Sequence, residues 1–109
     1  MAHDTQMLKG VLEGCILGLL KDEAAYGYLI VEKLKEAGFE NIGEATVYPI
    51  LTRLQKRGVL GYDMRPSDIG PPRKYYYLSR EGKRELGEFI KNYNALKDSV
   101  DAVFKEGQS

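Results

Sequence analysis

Gly58 separates two hydrophobic rhythms, and the change between them limits the fold more than any other feature of the chain. Before it, Val47, Ile50, Leu51 and Leu54 recur at the spacing of one helix face. After it, Leu60, Tyr62 and Met64 alternate with Val59, Gly61 and Asp63, which is the period of a strand. The strand-like runs "VLGYDMR" and "RKYYYL" flank "PSDIGPP". That Pro/Gly connection is too long for a tight hairpin turn, so it is expected to project as a loop.

Three helices are expected upstream of the hairpin. Apolar residues at 8, 11, 12, 15, 16, 19 and 20 predict the first, from Met7 to about Leu20. Gly14 and Gly18 share one of its faces, as close packing of another element would require. The second runs from about Tyr26 to Ala37, striped by Leu29, Ile30, Leu34 and Ala37 and stopped at Gly38. The third covers 44–57. Pro49 has no N–H to give the carbonyl four residues back, so this helix begins shortly before it or bends there. Downstream, Ser79 is expected to cap a final helix, with Glu81 in its first turn. Gly82 stands where a capping box would place Glu or Gln.

The order helix, helix, helix, strand, strand, long helix describes a winged helix-turn-helix (α-α-α-β-β-α), mainly α with a small β-hairpin. The expected division is a DNA-binding domain over 1–78 and a C-terminal dimerisation helix over 79–109.

Other classes find little support. A chain of 109 residues has room for one core. No apolar run reaches the roughly 20 residues of a membrane span, and the N-terminus lacks the order of a signal peptide, so a cytoplasmic protein is expected. The single Cys15, among Leu12, Ile16 and Leu19, reads as a buried thiol in a reducing compartment. With one histidine in a polar tail, no metal-ligand spacing and no phosphate loop, neither an enzyme nor a metal or cofactor site is expected.

The chain is formally neutral, yet residues 44–84 carry 9 bases against 4 acids. On the third helix Thr46, Pro49, Arg53 and Lys56 form one outward row, small in front and basic behind. Such a row lets a recognition helix sink into the major groove, Thr46 and Pro49 meeting thymine methyls and Arg53 a phosphate or a guanine. In the returning strand Lys74, Tyr76 and Leu78 share a face, with Tyr76 inward beside Leu78, and Arg73, Tyr75 and Tyr77 share the other. Arg73 and Lys74, joined by Arg65, put cations on a proline-stiffened wing suited to phosphates or a minor groove. A winged module that binds protein instead is the rival, separable by the salt dependence of DNA binding.

The segments "AYGYLI", "ATVYPILTRLQKRGVL" and "GPPRKYYYLSREG", in this order and spacing, resemble the PadR family of bacterial transcriptional regulators from about Leu8 to Leu86. The resemblance implies a dimeric regulator, usually a repressor, released from operator DNA by a small molecule or other signal. It supports DNA contact by Tyr26, Thr46, Tyr48, Pro49, Arg53, Arg73 and Lys74. For Tyr48 a second reading stands beside it, packing between third helix and wing; for Tyr26, buttressing the second helix. Ala45 stands where many members have glycine, Tyr77 where a basic residue is common, and Ser79 where threonine is usual. The single final helix matches the short branch of the family.

From Leu86 the apolar stripe continues through Phe89, Ile90, Tyr93, Leu96, Val100, Val103 and Phe104. That is about 28 Å of helix, more than a small winged domain covers, so a second copy is the expected partner. Two recognition helices one DNA turn apart then call for a near-palindromic operator. Phe89 and Tyr93 either line an interface pocket for a planar aromatic effector or serve as ordinary core aromatics.

Overall fold

The computed structural model describes residue 8 and residues 10–107; Met7, the expected start of the first helix, lies outside them. Helices α1 (Leu12–Leu19), α2 (Gly27–Glu36) and α3 (Glu44–Lys56) are followed by strands β1 (Leu60–Arg65) and β2 (Arg73–Leu78), then by α4 (Arg80–Gly107). This is the expected winged helix-turn-helix order. Among the described residues no helix is long and apolar enough to cross a membrane.

The helix stops are local chemistry. Gly38 and Gly58 both take positive φ, 114° and 82°. At each, the next N–H reaches back to close the last turn: Phe39 to the Leu34 carbonyl and Val59 to that of Leu54. These are Schellman ends, which glycine permits without a Cβ clash. Pro49 sits inside α3, one turn beyond Glu44, so the Ala45 carbonyl lacks an intrahelical donor at little cost near the start.

Every helix and both strands contribute to one core. Ile16 and Leu17 of α1, Ile30 and Leu34 of α2, and Val47, Leu51 and Leu54 of α3 are almost wholly enclosed, with Leu60, Tyr76 and Leu78 closing from the sheet. On α2, Val31 is buried while Ala37, expected on the stripe, is an exposed C-cap. The packed face therefore widens to include Val31 beside Ile30 and Leu34. Leu17 of α1 also fell outside the expected stripe and is 1% exposed, because α1 is enclosed on more than one side. The two glycines of α1 differ. A Cβ on Gly14 would lie 2.3 Å from the Phe89 ring of α4, whereas Gly18 has nothing within 4 Å. Only Gly14 marks a close approach.

Strands β1 and β2 pair antiparallel with Leu60 opposite Leu78, Tyr62 opposite Tyr76, Met64 opposite Lys74 and Arg65 opposite Arg73. Gly61 faces Tyr77, whose ring occupies the space a Cβ there would need. A bridge unannounced by periodicity extends this sheet: Ala25 N–H donates to the Tyr76 carbonyl and Tyr76 N–H to that of Ala25, at 3.0 and 2.9 Å. It straps the approach to α2 onto the wing.

Ser79 caps α4 as its hydroxyl accepts from the Gly82 N–H at 3.0 Å; the same hydroxyl donates to the Gly58 carbonyl at 2.6 Å. The glycine at 82 has a steric reason. A Cβ there would come within 2.0 Å of the Val59 carbonyl oxygen. Leu86, expected on the dimer face, is instead 5% exposed in the domain core, since the first two turns of α4 lie against α1 and the sheet. Beyond Phe89 the helix leaves the domain, in a molecule 58 Å long.

Candidate nucleic-acid interface

Helix α3 turns Val47, Ile50, Leu51 and Leu54 inward, which leaves Thr46, Tyr48, Pro49, Thr52, Arg53 and Lys56 exposed. The outward row is as the 3.6-residue period requires. Pro49, Thr52, Arg53, Lys56 and Arg57 line a shallow hollow along it. Thr52 was overlooked in the sequence, although it lies one turn from both Tyr48 and Pro49.

Arg53 is not free. Its guanidinium lies 3.6 Å from the Glu13 carboxylate of α1, the same carboxylate that Arg57 reaches at 3.2 Å. Arg57 also donates to Glu85 of α4 at 2.6 Å. One arginine thus ties α3 to α1 and α4. Lys56 forms no such pair among the described residues.

A cleft of about 510 Å³ opens where α2, α3 and the wing meet, lined by Tyr26, Gly27, Tyr28, Tyr48, Thr52, Arg73, Lys74 and Tyr76. Its floor requires Gly27, because a Cβ there would sit 2.1 Å from the Tyr48 ring. Tyr48 thus packs against the first turn of α2 while staying 44% exposed, so packing and surface display coexist. Partial burial first, then the Glu44 carboxylate one turn back, push its phenol pKa up; Arg73 opposes them. The hydroxyl is held neutral and able to donate. Burial, then neighbouring Tyr62 and Tyr48, raise Tyr76 likewise.

Aromatics carry the wing's cations. The Arg73 guanidinium lies 4.5 Å above the Tyr26 ring, Arg65 4.4 Å above Tyr75, and the Lys74 ammonium 4.5 Å from Tyr62. Tyr26 in turn meets Tyr75 at 5.2 Å and stacks with Tyr28 at 6.4 Å. At the loop tip the Ser67 hydroxyl donates to the Ile69 carbonyl and accepts the Ile69 N–H.

Far from this face, Ile90, Tyr93, Leu96, Val100 and Val103 stand exposed along α4, with Leu96 and Val103 at 64% and 65%. Phe89 is half-buried over Gly14 and stacks on Tyr93 at 6.2 Å, the rings 16° from parallel.

A helix-turn-helix whose second helix presents a small-then-basic row, followed by a hairpin with cations at its tip, defines a winged-helix protein. The family model of the "Transcriptional regulator PadR-like family" matches residues 16–88, more than half of the chain, and the chain belongs to that family. A crystal structure of a PadR-like transcriptional regulator from Bacillus cereus superposes with a TM-score of 0.84 at 39% identity, covering 92% of this chain and 97% of that one. The negative transcriptional regulator PadR of Bacillus subtilis is 28% identical over 86% of this chain, which spans only 53% of that protein's length. The Bacillus subtilis PadR structure in complex with operator DNA matches at 30% identity and a TM-score of 0.68, covering 73% of this chain and 47% of that one.

Proposed function

We propose that this PadR-family regulator binds operator DNA as a homodimer and represses transcription. The observation that carries the reading is the continuous face made by Thr46, Pro49, Arg53 and Lys56 of α3 with Arg73 and Lys74 of the wing. Tyr26 and Tyr48 lie at its centre, in the cleft between the two. The row of α3 enters the major groove, and the wing lies along phosphates or in the adjacent minor groove. Named relatives support the same role: one is called a negative regulator and is solved on its operator.

Dimerisation through α4 follows from its bare apolar stripe. Ile90, Tyr93, Leu96, Val100 and Val103 project from about 42 Å of helix, and all five are exposed among the described residues. A two-fold pair of such helices buries the stripe and sets two recognition helices on a near-palindromic site. The parallel Phe89–Tyr93 pair at the edge of that stripe is a surface on which a planar aromatic effector can stack. Such a ligand acts by preferring the dimer geometry that does not fit DNA.

The test is selection of binding sequences from a random duplex pool, then anisotropy titration of the selected duplex at several salt concentrations. One dimer per near-palindromic site is expected, with affinity falling steeply in salt. Arg73→Ala should flatten the logarithmic salt slope by about one. Enrichment of no sequence, together with salt-independent binding, refutes the reading.

A further inference from the structure

Three of the wing's basic side chains share one unusual feature: each rests on a tyrosine ring, and among the described residues none pairs with a carboxylate. Arg73 lies over Tyr26, Arg65 over Tyr75 and Lys74 over Tyr62, all within 4.5 Å of the ring centre. The cross-strand register explains two of the seats. Arg65 stands opposite Arg73, so Tyr75 is its diagonal neighbour on the outer face; Lys74 stands opposite Met64, so Tyr62 is its diagonal neighbour on the inner face. The third comes from outside the hairpin. The Ala25–Tyr76 bridge brings Tyr26 alongside Tyr75, where its ring receives Arg73.

Arg65 directly opposite Arg73 is a like-charge pair, which by itself weakens a hairpin. The wing's two carboxylates, Asp63 and Asp68, make no ion pair with either arginine among the described residues. A carboxylate partner would neutralise a cation and occupy its N–H donors. A ring beneath the guanidinium plane attracts the charge through its quadrupole, yet leaves the N–H rim open for in-plane, bidentate contact with an anion.

We propose that Tyr26, Tyr62 and Tyr75 are positioning residues: aromatic seats that hold Arg73, Lys74 and Arg65 unpaired and pre-oriented for the phosphodiester backbone. This rests on the DNA-binding reading above and gives Tyr26 a role through Arg73 in place of direct contact. Rotamers fixed before the encounter need not be ordered during it, so the seats add affinity without adding phosphate contacts.

The ring, the hydroxyl and the cation are separable by substitution. Tyr62→Phe and Tyr75→Phe keep the ring and should bind the selected duplex like the wild type. Tyr26→Leu and Tyr75→Leu should each weaken binding about two- to fivefold, the size of an exposed cation–π contact, with the salt slope unchanged because the same phosphates are neutralised. Arg73→Ala should lower the slope by about one, and Tyr26→Leu added to it should have no further effect. Without DNA, the Arg73 Nε–H proton resonance should be shifted by ring current in the wild type and relax in Tyr26→Leu. Phe variants as weak as the Leu variants would make the hydroxyl the contact and overturn the seats. So would Leu variants that bind like the wild type, a full additional loss in the double variant, or an Nε–H resonance insensitive to the ring. Absent salt-dependent binding by the wild type would instead refute the DNA reading itself, and the resonance shift would still report the seating.

Discussion

Gly82→Ala and Gly87→Ala place the same methyl on the same helix five residues apart, and the structure gives them opposite signs. At Gly82 the added Cβ would sit 2.0 Å from the Val59 carbonyl oxygen, at least an ångström closer than the atoms tolerate. That carbonyl cannot retreat freely. It accepts the Ser79 N–H at 3.2 Å, its own N–H is bonded to Leu54, and the preceding carbonyl accepts the Ser79 hydroxyl. Either α4 lifts from the sheet, uncovering Leu86 and Leu78, or these bonds are lost. Overpacking of this kind costs about 1–3 kcal/mol, and a backbone obstacle puts it at the upper end. Helix propensity returns up to about 1 kcal/mol, leaving a net loss of about 2 kcal/mol. For a domain near this size that lowers Tm by roughly 8–16 °C. At Gly87 nothing lies within 4 Å, so only the propensity gain remains and Tm should rise by a few degrees. Far-UV circular dichroism melts at one fixed protein concentration read both, since association shifts Tm with concentration. A Gly82→Ala protein as stable as the wild type would refute the close approach of α4 to Val59.

Two further outcomes follow from charge and burial. Glu13→Gln removes the carboxylate that draws Arg53 at 3.6 Å while Glu85 still holds Arg57. If DNA competes with Glu13 for Arg53, this variant should bind the selected duplex several-fold more tightly at low salt, with a slope steeper by up to about one; unchanged affinity and slope would show that Arg53 does not reach phosphate. Burial raises the pKa of Cys15 and, with its phenol neighbours, of Tyr76, so the folded state holds these protons more tightly than the unfolded chain. Stability is therefore complete below the ordinary values of about 8.5 and 10 and declines as pH rises through them. Melts from pH 7 to 11 should show this, Cys15→Ala delaying the onset; a flat Tm across the range would contradict it.

Periodicity was a sound guide wherever one neighbouring surface dictated a face. Helix α3 lies against the core on one side only, so the three- and four-residue spacing separated Val47, Ile50, Leu51 and Leu54 from Thr46, Pro49, Arg53 and Lys56 correctly. The strand period likewise turned Tyr76 and Leu78 inward. The same reasoning failed where an element is covered from two directions. Leu17 of α1 and Val31 of α2 were missed because a second packing partner widens the buried arc, and Leu86 was assigned to a dimer because the stripe of α4 does not reveal where its own domain ends.

The amino-acid sequence by itself determined the order of elements, their glycine and serine boundaries, the outward row of α3 and the excess apolar length of α4. All of these arise from contacts within a few residues, or from a period that any single buried face imposes. Tertiary structure alone decided which glycine meets Phe89, why residue 82 has no side chain, that Glu13 restrains Arg53, and that Tyr26 comes to lie under Arg73, 47 positions away. Those contacts join residues far apart in the chain, and their geometry exists only once the Ala25–Tyr76 bridge and the Ser79 cap have brought the separate elements together.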